Sequence, residues 1–147
     1  MDDFEEILSI LESSRAKYVI VGGHAVMYYT EPRFTKDLDI FIEASATNAN
    51  IVFDCLRAFG APLSGLEPKD FESPGYFYQM GRLPLRVDIL TSIDGVNFDE
   101  AWEGRTRARF GNVEVNLIGR EQLIRNKRSS GRHIDLHDVE QLELGNT

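Results

Sequence analysis

The feature that most constrains the fold is the stretch RFTKDLDIFIE, residues 33–43, in which apolar residues alternate with Asp37 and Asp39. Because successive side chains of a strand point to opposite faces, this spacing predicts a strand with both carboxylates on one face. Two like charges held this close disfavour ionisation and raise each other's pKa. A bound divalent metal ion is the usual compensation, so the stretch also predicts a metal site.

The length and composition indicate a globular protein. With 147 residues and 42% hydrophobic residues, we expect one domain, residues 1–147, built around one core. No apolar run approaches the roughly 20 residues that cross a bilayer, and the acidic, periodic N-terminus is unlike a secretory signal. The single cysteine, Cys55, excludes an internal disulfide, and its apolar neighbours predict a core residue rather than a nucleophile. We therefore expect a cytoplasmic protein that does not contact a membrane.

The charge is unevenly distributed along the chain. The net charge of −8 argues against nonspecific nucleic-acid binding by the whole surface. Residues 105–133, however, carry eight basic and two acidic side chains, a net charge of +6. This contrast suggests a site that holds a metal ion and an anion together, while a solvated basic helix face is the simpler interpretation.

The alternation of helix and strand patterns predicts an α/β (α+β) domain, a mixed central sheet flanked by helices, with two short helices at its C-terminal end. Turn residues predict two hairpins, one around residues 82–84 and one around Gly111 and Asn112. Helices are expected near residues 4–11, 24–29, 46–59, 98–102, 120–130 and 135–144, and strands near 18–23, 33–43, 76–81, 85–91, 105–110 and 113–118.

Three features then converge on one site. Gly22 and Gly23 separate a buried strand from a helix, and glycines there let backbone N–H groups approach a phosphate. Asp88 lies centrally in a later strand, so it would meet Asp37 and Asp39 if the two strands are neighbours. Each feature has a simpler interpretation alone: a tight turn for the glycines, and a glycosyltransferase or nuclease metal motif for the aspartate pair. For Asp88 the simpler interpretation is an ion pair with Arg86 or Arg82.

The run VGGHAV, RFTKDLDIFIE and LRVDIL resembles the nucleotidyltransferase superfamily that includes DNA polymerase beta. The tail LIRNKRSSGRHIDLHDVEQL is similar to the bacterial branch of AbiEii-type abortive-infection toxins, although this chain is shorter than those toxins. The resemblance extends over roughly residues 18–142. It implies an enzyme that moves a nucleotidyl group from a nucleoside triphosphate to an acceptor, a transferase of phosphorus-containing groups.

The resemblance also implies residue roles. Asp37, Asp39 and Asp88 would be catalytic and would hold Mg²⁺, two ions in number, with Mn²⁺ as a substitute. Gly22 and Gly23 would cradle the triphosphate, and further contacts with the nucleotide would come from the basic residues Arg33, Lys36 and Lys127. Arg33 and Lys36 have the alternative of neutralising the acidic strand.

The roles of several residues stay open at this point. Asp135 and Asp138 would orient Lys127 or Arg132, or cap the last helix. His24 would contact a phosphate or pack at a helix N-terminus. A second open set comprises the alternating arginines of one hairpin strand, which would contact RNA phosphates or protect a sheet edge: Arg105, Arg107 and Arg109.

The partner of the reaction is not encoded in these motifs. The acceptor could be an RNA such as a tRNA end, a protein side chain or a small molecule. The resemblance to abortive-infection toxins implies a toxin-like component of a toxin–antitoxin or phage-defence system, with an antitoxin or helical partner protein. An alternative is a nucleotide-binding subunit that acts only with such a partner, and an exposed hairpin edge makes a homodimer a further expectation.

Overall fold

The computed structural model describes residues 2–35, 37–81 and 86–145 of the chain. Within these ranges the helices are α1 (Asp3–Ser13), α2 (Gly22–Tyr29), α3 (Ala46–Phe59), α4 (Phe98–Glu103), α5 (Arg120–Ser130) and α6 (His133–Leu144), with a 3-10 helix at Pro68–Glu72. The strands are β1 (Tyr18–Val21), β2 (Asp37–Ile42), β3 (Phe77–Met80), β4 (Arg86–Leu90), β5 (Thr106–Phe110) and β6 (Val113–Leu117).

The described strands form one six-stranded mixed sheet in the order β3-β4-β2-β1-β6-β5. Strand β2 pairs with β1 in antiparallel and with β4 in parallel orientation, and β6 pairs with β1 in parallel orientation. The pairs β3–β4 and β5–β6 are antiparallel. The predicted mixed sheet with flanking helices is therefore confirmed, as are the strand pairs of both hairpins; residues 82–85, between β3 and β4, lie outside the described residues.

Local sequence signals set the ends of the longer helices. Asp2 caps α1 by accepting a hydrogen bond from the Glu5 amide, at 2.8 Å. Ser45 caps α3 in the same way, and α3 ends at Gly60, whose positive φ of 92° suits a glycine. None of the described helices is long and apolar enough to cross a membrane.

The sheet has a buried apolar face and a face that carries the acidic residues. Leu38 and Ile40 of β2 are fully buried in the hydrophobic core, and Cys55 on α3 is also buried there, as predicted. On the other face α2 contacts β1 and β2, and it also contacts α5 and α6. The two C-terminal helices are thereby held over the strand that carries Asp37 and Asp39.

Strand β5 lies at one edge of the sheet, as the edge interpretation of its arginines requires. The strand carries Arg107 and Arg109, while Arg105 comes just before it, because the strand begins at Thr106. Arg107 forms an ion pair with Glu12 at 2.7 Å, and the Arg105 guanidinium lies 3.8 Å from the ring centre of Trp102. These contacts fix two of the three arginines against the protein itself. An RNA-binding role for this strand stays a prediction.

Candidate active site

One cavity of about 640 Å³ collects every predicted site residue that the structure describes. Strand β2, strand β4, the first turn of α2, the segment before β2, and helices α5 and α6 all contribute to it. Lys36 lies outside the described residues. The described lining residues are Gly22, Gly23, Arg33, Phe34, Thr35, Asp37, Asp39, Arg86, Asp88, Lys127, Arg132, Ile134, Asp135 and Asp138.

The carboxylates meet because β2 and β4 are parallel neighbours in a fixed register. Asp39 is the direct partner of Asp88 across the two strands, and Asp37 is the partner of Arg86. Residues opposite one another on adjacent strands point to the same face. The sheet thus brings together three carboxylates whose positions in sequence are up to 51 residues apart.

The environment of Asp39 favours its protonated form. Burial, a hydrogen bond with Asp88 and the negative charges of Asp88 and Asp37 raise the pKa of Asp39 to about 7, while the Lys127 ammonium opposes the rise. The protonated form of Asp39 is therefore much more favoured at neutral pH than that of an ordinary aspartate. A nearby cation would shift the carboxyl group to the ionised form.

Asp37 has a different environment. The guanidinium of Arg86 donates two hydrogen bonds to the Asp37 carboxylate, both of 3.1 Å, so the two residues form a bidentate ion pair. Asp88 accepts a hydrogen bond of 3.0 Å from the Gln79 amide. The sequence alternatives paired Asp88 with Arg86 or with Arg82; in the structure Arg86 pairs with Asp37, and Arg82 lies outside the described residues.

The glycine pair forms the first turn of α2 rather than the end of β1. Gly22 has a φ of +67°, and a Cβ there would overlap the Asp39 carboxylate and lie 2.9 Å from its Cγ. A Cβ on Gly23 would lie 2.9 Å from Cγ2 of Thr35. Within the described residues no side chain caps the N-terminus of α2, so its first amides are oriented for an anion.

A network of ion pairs holds α5 and α6 beside the carboxylates. Nζ of Lys127 lies 3.1 Å from Asp135 and 3.5 Å from Asp138, and Lys127 is only 8% exposed. Asp138 also accepts a hydrogen bond of 2.7 Å from Arg33, and Asp135 one of 2.6 Å from Arg132. The two aspartates therefore orient the basic residues, which is one of the two roles that the sequence left open.

The pKa of Asp135 reflects this network. Burial alone would raise the pKa of the carboxyl group, but hydrogen bonds from Arg132, Ser130 and Lys127 outweigh it and lower the pKa to about 2. Asp135 is thus a fixed negative charge at neutral pH, which keeps the buried Lys127 ammonium compensated.

His24 lies outside this cavity. Its ring packs edge-on against Phe4 and at a tilt against Phe110, with ring centres 5.5 and 5.3 Å apart, and it lines a neighbouring cavity with Tyr28. Its Nε2 is buried and has no hydrogen-bond partner among the described residues, and burial lowers the pKa of the imidazole. The contacts favour the packing role of His24 over a phosphate contact.

The donor set fits a hard cation such as Mg²⁺. In the described ranges no group of three or more His, Cys, Asp or Glu residues is arranged to hold a metal ion, and Asp37 is paired with Arg86. Mg²⁺ however needs only one or two carboxylates when substrate phosphates and water complete its shell. Asp39 and Asp88 supply adjacent oxygen atoms that such an ion prefers.

The family of the protein follows from comparison with known sequences. Residues 1–147 match the family described as "Nucleotidyltransferase of unknown function (DUF6036)". The chain belongs to this family. The predicted nucleotidyltransferase superfamily and transferase class are thereby confirmed, while the AbiEii-type branch stays a prediction. No curated protein sequence matched the chain.

Solved structures with the same fold are distant in sequence. The lincosamide antibiotic adenylyltransferase LnuA, solved with lincomycin, is 15% identical with a TM-score of 0.60, and the match covers 96% of this chain and 94% of that one. The enzyme ANT(2")-Ia, solved with adenylyl-2"-tobramycin, is 12% identical with a TM-score of 0.65, covering 98% and 87%. A nucleotidyltransferase-like protein from Paracoccidioides brasiliensis is 17% identical with a TM-score of 0.58, covering 95% and 73%.

Proposed function

We propose that this nucleotidyltransferase moves a nucleoside monophosphate from a nucleoside triphosphate to an acceptor hydroxyl and releases pyrophosphate, with Mg²⁺ as its cofactor. The observation that carries the proposal is the pairing of Asp39 with Asp88 on parallel strands, beside the glycine turn at residues 22–23. Paired oxygen donors next to an uncapped helix N-terminus match the needs of a triphosphate with its metal ions.

The three aspartates would divide the chemistry. Asp39 and Asp88 would hold Mg²⁺ between them, and Asp37 would join them by exchanging its ion pair with Arg86 for the metal. Two ions are expected in the full complex, and Mn²⁺ suits the same oxygen donors. The bound metal supplies positive charge that offsets the charge of the phosphates. Asp88, hydrogen-bonded to Gln79 at 3.0 Å, would accept the proton of the acceptor hydroxyl.

The proposed reaction forms one bond at the α-phosphorus and breaks another. The acceptor oxygen forms a bond to the α-phosphorus as its proton passes to Asp88. The bond from the α-phosphorus to the oxygen that bridges the α- and β-phosphates breaks, and pyrophosphate leaves with the electron pair. Amides of the Gly22–Gly23 turn would hold the phosphate oxygens during this displacement.

Basic residues would complete the triphosphate site. Lys127 is buried beside the carboxylates and is held by Asp135 and Asp138, so its ammonium presents a positioned point charge. Arg33 projects from the segment before β2 and is fixed by Asp138 at 2.7 Å. Both residues line the cavity with the glycine turn, and we assign both to the phosphates.

The acceptor of the nucleotidyl group belongs to one of two classes of molecule in this proposal. Two of the structural neighbours were solved with lincomycin and with adenylyl-2"-tobramycin, so hydroxyls of small antibiotic-like molecules are the first acceptors to test. RNA, including tRNA ends, and protein side chains are the second group. The resemblance to abortive-infection toxins favours this second group and a role in toxin–antitoxin or phage-defence systems.

Thermal melts test the nucleotide site without an acceptor. Each of the four nucleoside triphosphates is added with and without Mg²⁺ to the wild type, to Asp39→Asn and to Asp54→Asn, an exposed aspartate of α3 that serves as the control. Ligand at about 100 times its dissociation constant adds about 2.7 kcal/mol, a shift of several degrees. We expect this shift only with Mg²⁺ in the wild type and the control.

Transfer of label from α-³²P-labelled triphosphates to each acceptor class then tests the reaction. We expect Asp39→Asn and Asp88→Asn to lose transfer by at least about a hundredfold, with the fold intact by circular dichroism. The Asp54→Asn control should match the wild type. Wild-type transfer by either active-site variant would refute the assigned roles. A Mg²⁺-dependent nucleotide shift without transfer to any acceptor would favour the partner-dependent subunit instead.

A further inference from the structure

Two apolar side chains border the catalytic cavity, although the other described residues that line it are glycines, a threonine and charged side chains. Phe34 is 78% exposed and Ile134 is 54% exposed. A large apolar side chain gains nothing from contact with water, and apolar surface inside a cleft indicates contact with a ligand. The phosphate and metal chemistry of the site does not use either residue.

The two side chains come from different elements that an ion pair fastens together. Phe34 follows Arg33, whose guanidinium lies 2.7 Å from Asp138 of α6. Ile134 is four residues before Asp138, so both project from the same side of α6. The Arg33–Asp138 ion pair therefore holds the segment that carries Phe34 against the helix face that carries Ile134.

The same segment also packs against the glycine turn. Thr35, the residue after Phe34, lies so close to Gly23 that a Cβ on Gly23 would lie 2.9 Å from Cγ2 of Thr35. A triphosphate bound at the turn would therefore lie near the segment that carries Phe34. The base and sugar of the nucleotide are less charged than the phosphates, and the two apolar side chains of the cavity suit the base.

We propose that Phe34 and Ile134 bind the nucleobase of the triphosphate by its flat faces, an inference that rests on the proposed function. Stacking of a base on an aromatic side chain changes affinity by between about fivefold and a hundredfold on alanine substitution. Such contact tolerates every base, because each base has the same kind of π face.

This mode of binding predicts weak discrimination among the four bases. Reading the edge of a base requires donors and acceptors placed in its plane, and the amides of Asn and Gln serve best for adenine. Among the described residues that line the cavity there is no Asn or Gln, and Asp135 and Asp138 are already engaged by basic residues. The lining arginines, whose side chains can read guanine, each form an ion pair with an aspartate: Arg33, Arg86 and Arg132. We therefore expect the four triphosphates to bind within about tenfold of one another.

Binding titrations separate the base from the phosphates. Isothermal calorimetry with Mg²⁺ compares ATP, CTP, GTP and UTP with inorganic tripolyphosphate for Phe34→Ala and Ile134→Ala. Two exposed apolar residues outside the cavity give matched controls: Phe77→Ala on β3, 51% exposed, and Leu136→Ala on α6, 47% exposed. Because all four side chains are exposed, the variants should fold, and thermal melts verify this.

We expect Phe34→Ala to weaken every nucleoside triphosphate by between about fivefold and a hundredfold and to leave tripolyphosphate within twofold of the wild type. Ile134→Ala should act in the same direction with a smaller effect, and both controls should match the wild type. The base contact is overturned if Phe34→Ala weakens tripolyphosphate and nucleotides equally, or changes neither.

Two further outcomes keep the inference separate from the proposed function. A wild type that binds tripolyphosphate with Mg²⁺ but gains nothing from any base would overturn the base contact and leave the phosphate site in place. A wild type that prefers one base by much more than tenfold would overturn recognition by the faces alone. A wild type that binds neither kind of ligand would overturn the proposed function itself.

Discussion

Replacing Asp39 by asparagine should stabilise the ligand-free protein at neutral and alkaline pH, although it removes a predicted catalytic residue. Ionised Asp39 lies partly buried beside the carboxylates of Asp88 and Asp37, and this environment raises its pKa to about 7. Asparagine carries no charge and has nearly the same shape. The substitution therefore removes an unfavourable charge while it keeps the backbone pairing of β2 with β4.

The magnitude follows from linkage between protonation and folding. A carboxyl group with a pKa of 3.8 in the unfolded chain and about 7 in the folded one favours folding less as the pH rises from about 4 to about 7. At 1.36 kcal/mol per pKa unit, the full cost above pH 7 has a ceiling of about 4 kcal/mol. Since Asp39 is only partly buried, water screens part of this charge, and we expect a gain of about 2 kcal/mol.

Urea unfolding in the presence of a chelator measures this gain, with the fluorescence of the single tryptophan, Trp102, as the signal. The Asp39→Asn variant should be more stable than the wild type at pH 8, and the difference should shrink at pH 4.5. The Asp54→Asn control on α3 should show neither effect. The reasoning is refuted if Asp39→Asn is less stable than the wild type at pH 8, or if its gain is the same at both pH values.

Two further predictions concern the surroundings of the carboxylates. Gly22→Ala should lose at least about 2 kcal/mol of stability, since its φ is +67° and a Cβ there meets the Asp39 carboxylate. The control Gly65→Ala has a φ of +80° but open space around it, so it should lose only about 1 kcal/mol from backbone strain. Urea unfolding measures both losses. Asp135→Asn should lose about 2 kcal/mol at pH 7, because its pKa of about 2 lies below the unfolded value of 3.8. The wild type loses that stability as the pH falls from about 4 through 2, so the variant should show a flatter acid limb. An unchanged limb would contradict the pairing of Asp135 with Arg132 and Lys127.

The sequence was sufficient for much of the site because the relevant periodicities are local. Alternation places Asp37 and Asp39 on one face of β2 whatever the rest of the chain does, and the apolar neighbours of Asp88 identify a central strand. What remained open was the pairing of those strands. Once β2 and β4 are parallel neighbours, the meeting of Asp39 with Asp88 follows from their register.

The ion pairs of the site were harder to predict. Arg86 is two residues from Asp88 in sequence and was one of the two arginines considered as its partner, yet Arg86 pairs with Asp37, 49 residues away. The register between β2 and β4 determines this partner, and no local sequence pattern specifies that register. The start of α2 at Gly22 was missed for a related reason, because a glycine with positive φ after a buried strand has the same sequence signal as a strand end.

The charge balance of the cavity indicates where a metal ion is needed. The described lining residues include five carboxylates and four cations, and three of the carboxylates have a basic partner: Asp37 with Arg86, Asp138 with Arg33 and Lys127, and Asp135 with Lys127 and Arg132. Asp39 and Asp88 form no ion pair with any described residue. They are also the two that face each other across β2 and β4. The negative charges of Asp39 and Asp88 thus lack a basic partner at the place where a divalent cation would lie between adjacent oxygen donors. The sequence motif alone did not show that Asp37 differs from these two residues in having such a partner.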